Sequence, residues 1–388
     1  MKKFLCNKCY YVELGEKMPE LCPVCNADIS LFSEVVWVDP TYIPEYWNEH
    51  VNEKIQKIRE NQIKAGRYGF SFGLISDIHW GQNEKHASAL LEKVMSECDI
   101  PYTLNAGDTV SGAGLCPPEA IISDILDYKK AFSRLEDKIL MAQGNHDPSY
   151  STLGGKLYYK ESLTKSEVFE YLYRHNTKYP ERKMSEDGTY YYTDIASHKA
   201  RLIILNPYDV PSDEVLETGE SKYSKMSMIG YRQTQLEWFA NVALDLPSRD
   251  WTVVLCTHTN PVSNEFCFND DILMNIINAF RKGEKVHAES KHADGYAIDL
   301  DADFTGKGGN FAVWVSGHTH NDRVGTYNNI LCLSIISDWN HNHTKLEFSR
   351  DRGTINEQAF DIYTISPDEH KIYITRVGAG ENRELSYI

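Results

Sequence analysis

Five short apolar runs in this chain each end in aspartate, asparagine or histidine, and this recurrence limits the possible folds more than any other feature. Phe70 to Ser76 leads into Asp77-Ile78-His79, Pro101 to Asn105 into Gly107-Asp108, and Lys138 to Ala142 into Gly144-Asn145-His146-Asp147. Trp251 to Thr257 delivers His258, and Phe311 to Ser316 delivers Gly317-His318-Thr319-His320. Runs of this length read as strands, and amphipathic helical segments alternate with them, which is the pattern of a layered α/β domain. In an open α/β sheet, ligands bind outside the carboxyl ends of the strands, so residues distant in sequence converge there. Gly107, Gly144 and Gly317 let the backbone turn sharply beside the converging groups. Carboxylates, one amide and several imidazoles make an oxygen and nitrogen set suited to Mn, Fe, Zn or Mg. The set is too large for one ion with an open position, and a dinuclear site is the simplest arrangement.

Any one of these residues alone is ordinary, but the ordered set is not. D-x-H, then G-D, then G-N-H-D, then an isolated strand-end histidine, then G-H-x-H resembles the calcineurin-like metallophosphoesterase family over about residues 70 to 335. The resemblance implies a two-sheet α/β sandwich flanked by helices. It implies that Asp77, His79 and His320 hold one ion, that Asn145, His258 and His318 hold the other, and that Asp108 bridges both. His146 matches the family's non-ligand histidine, which contacts phosphate and protonates the leaving oxygen, with Asp147 behind it fixing its orientation or charge. The chemistry implied is attack of a metal-bridging hydroxide on phosphorus in line, with no covalent nucleophile. A phosphodiester or nucleotide is the leading substrate. The alternatives are a phosphomonoesterase, a DNA nuclease, and a metal-binding or redox-sensing protein with a vestigial phosphoesterase site.

The N-terminus carries a second signature. Cys6-Asn7-Lys8-Cys9 and Cys22-Pro23-Val24-Cys25 are two C-x2-C pairs whose tight turns can present four thiolates to one tetrahedral ion. A segment this short buries too little apolar surface to fold alone, so metal binding must supply much of its folding free energy. Phe4-Leu5-Cys6, Tyr11-Val12, Met18-Pro19-Glu20-Leu21-Cys22-Pro23 and Phe32 resemble the rubredoxin-like module at the end of rubrerythrins, with Tyr10 where that module has glycine. The resemblance covers about residues 3 to 33 and implies one zinc or iron, either a structural zinc ribbon or a redox-active iron centre. The Glu-x-x-His pairs of a di-iron bundle occur only as Glu284–His287 and Glu289–His292, too close together to occupy two helices of one bundle.

Charge and composition bear on partners and compartment. Lys+Arg 40 against Asp+Glu 56 gives a net charge of −16, a field that repels polyanions and makes an extended nucleic-acid groove an unfavourable reading. A small phosphoester remains compatible, because metal neutralises the ligand carboxylates locally. Asn7 and Lys8 interrupt the chain before a signal-peptide apolar stretch forms, and Trp251 to Cys256 and Ile330 to Ile336 are strand-sized, far below the roughly 20 residues of a membrane span. The chain therefore reads as cytoplasmic with no membrane partner, and Cys98, Cys116, Cys256, Cys267 and Cys332 read as buried apolar residues.

The expected organisation is a four-cysteine module over 1–33, a helical connector over 34–66, and a catalytic domain over 67–388 with insertions near 148–187 and 261–309. Trp47, Val51, Ile55 and Ile58 recur at helical spacing and predict a helix over 44–64. The first insertion, with Tyr158, Tyr159, Lys160, Tyr171, Tyr173 and Arg174, reads either as a basic aromatic rim over the site or as a helix packed on a sheet. In the second, 271–280 reads as helix, and the acidic stretch around Asp294, Asp299, Asp301 and Asp303 as a solvated loop. Arg323 reads as a phosphate contact or a surface ion pair, and His341-Asn342-His343 as a loop. Residues 359–365 and 371–377 alternate apolar and polar around Ser366-Pro367-Asp368-Glu369 and predict a hairpin closing the second sheet.

Overall fold

The computed structural model of the chain describes residues 2–6, 8, 12–23, 25–34, 42–80, 86–112, 118–148, 152–153, 156–157, 162–210, 214–219, 222–223, 228–263, 266–292, 295–340, 349–351 and 353–388. Cys9, Tyr10, Tyr11, Val24, Cys116, Tyr158, Tyr159, Lys160, Asp294 and His341-Asn342-His343, singled out in the sequence, lie outside the described residues.

At the N-terminus, β1 (Lys2–Cys6) pairs antiparallel with β2 (Val12–Gly15) on one side and β3 (Phe32–Glu34) on the other. Phe4, Cys6, Cys22, Ala27 and Phe32 form a small core of their own. Leu5 and Leu14 instead join the main core, so the strand alternation seats this little sheet on the rest of the chain. Lys3 adds a salt bridge to the buried Asp124. Helix α1 (Asn48–Lys64) follows, entered by a 3-10 turn at Glu45–Trp47. Its stripe of Val51, Ile55 and Ile58 is buried, and Asn61 Nδ2 donates to Thr375 Oγ1 at 3.1 Å.

Two large sheets make the sandwich. The first runs β20-β19-β18-β4-β5-β6, built from β4 (Phe70–Ile75), β5 (Thr103–Asn105), β6 (Ile139–Met141), β18 (Ala359–Ser366), β19 (Lys371–Gly378) and β20 (Arg383–Ser386). The second runs β16-β17-β15-β12-β11-β10-β9, built from β9 (Lys183–Met184), β10 (Tyr191–Ile195), β11 (Ala200–Ile204), β12 (Thr252–Cys256), β15 (Asn310–Ser316), β16 (Arg323–Tyr327) and β17 (Ile330–Ser334). Strands β4, β5 and β6 are mutually parallel, as are β11, β12, β15 and β17. Leu202, Ile204, Val254, Cys256, Val313 and Val315 face the main core. Their neighbours Ile203, Leu205, Val253, Leu255 and Trp314 face a second core. Burial on both faces is why these strands read as continuous apolar runs. Helices α5 (Gln233–Trp238) and α6 (Asp270–Lys282) contribute Leu236, Leu273 and Ile277 to the second core. Helices α2 (Ala87–Glu97) and α3 (Pro118–Ala131) contribute to the main one. The expected C-terminal hairpin is β18–β19, but it extends the first sheet next to β4 and does not close the second, because β18 pairs antiparallel with β4.

The first insertion follows one of its two sequence readings, and the second departs from its reading only in the acidic stretch. In the described part of the first, α4 (Lys165–Val168) continues into a π-helical turn over Phe169–Tyr173 and a 3-10 segment over Arg174–Lys178. Val168, Leu172 and Tyr173 are buried in the main core, and Lys129 of α3 donates to the Tyr171 carbonyl at 2.8 Å. Arg174 turns outward to Glu170. The apolar spacing seats this segment on the domain, so the packed-helix reading holds for it in place of a basic aromatic rim. A two-residue ribbon pair, β7 (Thr152–Leu153) and β8 (Lys156–Leu157), precedes it. In the second insertion the acidic stretch is not a loop: β14 (Ile298–Asp303) pairs with β13 (Lys285–Ser290). Ile298, Leu300 and Ala302 are buried while Asp299, Asp301 and Asp303 face out, an alternation masked in the sequence by its charge.

A buried ion-pair network ties the sheets together. Arg376 of β19, fully buried, donates Nε to Asp361 Oδ1 of β18 at 2.6 Å and Nη2 to Asp322 Oδ1 at 2.7 Å. Asp322 follows β15 in the second sheet and also accepts the Ile336 amide at 3.1 Å. Breaking one side of such a pair leaves a buried charge uncompensated, at a cost of about 3–5 kcal/mol. Arg376→Ala is therefore expected to lower the unfolding free energy measured in urea by an amount in that range, with a correspondingly lower midpoint, and a midpoint equal to that of the native protein would show that the network does not hold the sheets.

Candidate metal centre

Each of the seven parallel strands ends on the same side of the sandwich, and the expected residues lie just past five of those ends. The sheet ladders continue into the loops: the amides of Asp77, His79 and Trp80 donate to the carbonyls of Gly107, Asp108 and Thr109, and the Gly317 amide donates to the His258 carbonyl. Asp77, His79, Asp108, His318 and His320 all have positive φ, between 47° and 71°. This left-handed backbone is uncommon in non-glycine residues and persists only where surrounding bonds over-determine it. Here it turns the side chains of residues 77, 79, 108, 318 and 320 toward one point.

The side chains form two adjoining groups. In the first, His320 Nε2 lies 3.2 Å from Asp77 Oδ1 and 3.2 Å from His79 Nε2. In the second, Asn145 Oδ1 lies 3.0 Å from both His258 Nε2 and His318 Nδ1, which are 3.2 Å from each other. Asp108 stands between the groups, with Oδ2 3.2 Å from His258 Nε2 and 3.9 Å from His79 Nε2. The Nδ1 of His258 is 2.7 Å from the Ala106 carbonyl, an acceptor, which assigns the proton to Nδ1 and a lone pair to Nε2 in the neutral ring. That lone pair then faces two oxygens and another ring nitrogen, an arrangement that is repulsive unless a cation or proton sits among them. The donor set therefore fits two divalent cations, with neutral imidazole, amide oxygen and carboxylate as ligands.

The electrostatics agree with that fit. Burial alone would raise both carboxyls, but the facing imidazoles outweigh it, holding Asp77 down at about 2 and Asp108 well below the carboxylate range. Burial and the neighbouring His146 keep His79 well below the usual imidazole value, as a neutral ligand requires. For His258 burial is outweighed by Asp108, which pushes the ring up to about 9, so this position attracts positive charge.

His146 lies beside the groups, with Nε2 3.9 Å from Asp108 Oδ2 and its ring edge-on to His79. Its Nδ1 bonds the Ser111 carbonyl, which orients the ring. Burial lowers its basicity although Asp108 and that carbonyl act the other way. Asp147, expected behind His146, has other partners: Oδ1 accepts the Thr109 and Val110 amides at 2.7 and 3.3 Å, and Oδ2 accepts the Gly144 amide at 2.7 Å. It clips the loop after β5 to the loop after β6, a backbone role that local sequence does not encode. Burial, with the Asp108 charge second, pushes its carboxyl up to about 7. Arg323 donates Nη1 to the Val262 carbonyl at 3.3 Å.

Two site residues were missed in the sequence. Tyr208, past β11, donates its hydroxyl to Asn145 Oδ1 at 3.3 Å. Trp339, past β17, lies tilted against the His79 ring at 4.8 Å and edge-on to that of His320 at 6.0 Å. The available signal was the apolar run preceding each, Leu202 to Leu205 and Ile330 to Ile336, followed by polar residues.

The N-terminal cysteines form a separate group. Cys6, Cys22 and Cys25 lie with all sulfurs within 4.8 Å of one another, and Cys6 Sγ and Cys25 Sγ are 3.6 Å apart. The turn between them is closed by the Cys22 amide on the Ala27 carbonyl at 2.8 Å and the Asn26 amide on the Cys22 carbonyl at 2.9 Å. Among the described residues, no helix is long and apolar enough to cross a membrane.

Comparison with known proteins adds a family. A model of the calcineurin-like phosphoesterases matches residues 70–322. Among solved structures, a dimetal phosphatase from Danio rerio aligns over 82% of this chain and 99% of its own, with a TM-score of 0.52 and 12% identity. The anchor protein of the Plasmodium inner membrane complex aligns over 82% and 89%, with a TM-score of 0.43 and 12% identity. At such identity the first of these speaks to the fold alone. No curated protein matches the chain.

Gly317 and Gly144 leave no room for a side chain: a Cβ on Gly317 would strike Ser76 Oγ and Asp77 Oδ2, and one on Gly144 would strike Asp108. Gly317→Ala is therefore expected to weaken metal binding by about 10-fold or more, since displaced ligand supports typically cost that much. Equilibrium dialysis against Mn would check it, and unchanged affinity would show that the loop yields freely.

Proposed function

The chain belongs to the calcineurin-like phosphoesterase family, and from that premise we propose that it hydrolyses a phosphodiester, a nucleotide-type substrate, at the centre described above. The observation that carries this reading is the placement of Asp108 Oδ2 between two separate ligand groups. When bound, two divalent cations supply an activated water and neutralise phosphoryl oxygens during in-line displacement. Asp77, His79 and His320 would hold one, Asn145, His258 and His318 the other, with Asp108 shared.

The remaining steps fall to the protein. His146, its Nδ1 anchored on the Ser111 carbonyl, offers Nε2 to the leaving oxygen and, as imidazolium, donates the proton there. Two divalent cations against Asp77 and Asp108 leave two positive charges. The hydroxide nucleophile matches one and the monoanionic phosphate of a diester matches the other, whereas a monoester dianion overfills the site. The acidic chain, at −16, disfavours long polyanions and favours a small substrate. The N-terminal module would hold one zinc or iron on Cys6, Cys22, Cys25 and, from the sequence spacing, Cys9.

The test is turnover of matched aryl diesters and monoesters with Mn supplied and metal counted in parallel. The diester is expected to show the higher kcat/KM; preference for the monoester would overturn the substrate class, and no turnover of any phosphoester by fully loaded protein would overturn the function. His146→Ala should keep its metal and lose about 10²–10⁴-fold in kcat, more for an alkyl than for a nitrophenyl leaving group, which needs no proton. Asp108→Asn should lose metal together with turnover. Cys22→Ser should remove one further equivalent of zinc or iron while the other two ions stay bound, and elemental analysis of the purified variant would check it.

A further inference from the structure

We propose that Tyr208 is a positioning residue for the ion on Asn145, holding that amide with its oxygen toward the cation; this rests on the dinuclear reading above. The loop 205–210 that carries Tyr208 is braced from behind. Gln235, fully buried, accepts the Asn206 amide on Oε1 at 2.7 Å and donates Nε2 to the Asn206 carbonyl at 2.9 Å, satisfying the backbone as a neighbouring strand would. The Gly230 amide donates to the Pro207 carbonyl at 2.8 Å, and Asn206 Oδ1 accepts the Tyr208 amide at 2.9 Å. Two side chains of this braced loop then reach the loop after β6. Asn206 Nδ2 donates to Gln143 Oε1 at 3.3 Å, and the Tyr208 hydroxyl donates to Asn145 Oδ1 at 3.3 Å.

The amide needs such a partner because its two ends differ. Only Oδ1 can ligate a cation, whereas the amide nitrogen, turned inward, would find acceptors in His258 Nε2 and His318 Nδ1. Before a cation arrives, that unproductive orientation competes. A phenol placed to donate to the oxygen favours the productive one, and it lies on a braced loop where its own position costs little further on binding. With the ion bound, the same hydrogen bond leaves the second lone pair of Oδ1 for the metal.

Tyr208→Phe removes one oxygen and keeps the ring. The metal-stripped chain and its variant, titrated with Co2+ and followed by equilibrium dialysis and d–d absorption, are expected to differ for one of the two site ions. Its affinity should fall about 10-fold or more and its band should shift. The ion on the cysteines is common to both proteins and cancels. The melting temperature in chelator should be unchanged. Asn145→Asp supplies a control that a packing role would not satisfy: a carboxylate has no wrong end, so adding Tyr208→Phe to it should have little further effect on affinity. Equal Co2+ affinity and spectra in native protein and Tyr208→Phe would overturn the assignment. So would an undiminished Tyr208→Phe defect in the Asn145→Asp background, or a loss matched by lower chelated stability. Native protein that binds no pair of site ions would overturn the dinuclear reading itself, and this assignment with it.

Discussion

Asp77 joins the two sheets. Its amide donates to the Gly107 carbonyl at 3.0 Å within the first sheet's loops, and its carbonyl accepts the Trp339 amide at 3.2 Å from the second sheet. Its carboxylate accepts Ser76 Oγ at 2.6 Å and the His318 amide at 2.9 Å. One residue thus links the ends of β4, β5, β15 and β17. It does so at φ 51°, a conformation costing roughly 1 kcal/mol or more, and four further site residues carry the same kind of strain. Together that is on the order of 5 kcal/mol, comparable to the lower end of a domain's whole stability. Crossing hydrogen bonds worth about 1 kcal/mol each can offset it only collectively. This explains why the loops are so densely cross-bonded and why glycine stands wherever another loop presses in.

Support for the centre comes from well outside the matched span 70–322. Arg376 and Arg383 grip Asp322, two residues past His320. Arg350, largely buried, donates to the carbonyls of Ser337 and Asp338 next to Trp339. The C-terminal segment therefore does more than extend a sheet: its buried guanidinium groups fix the two loops that carry His320 and Trp339. At the other end of the chain, β1 is anchored by Leu5 in the main core and by Lys3 on Asp124 of α3, so the cysteine cluster is docked directly on the catalytic body.

The sequence was most legible where chemistry interrupts a pattern. Polar groups that follow five strand-length apolar runs in a set order make Asp77, Asp108, Asn145, His258 and His318 legible as candidate ligands, although any one of them alone is ordinary. Tyr208 and Trp339 were not legible, because each lies four or five residues past its strand and is a residue type that ordinarily fills a core. Asp147 was visible but its partner was misjudged, since the amides of Thr109 and Val110 come from a loop nearly forty residues earlier. Tyr171 and Tyr173 and the acidic strand β14 show the same limit, with burial deciding what charge and aromatic content left open.

The sequence by itself determined the order of strands and ligand-bearing turns, the hairpin at 359–378, and the donor types available to a cation, because these follow from periodicity and side-chain chemistry. The tertiary structure alone decided that two sheets bring all seven parallel strand ends to one side and that Asp108 falls between two groups of candidate ligands. It also decided that buried arginines and a phenol hold those groups in place. Those outcomes depend on distances between residues up to some three hundred positions apart, and only packing of the two sheets sets them.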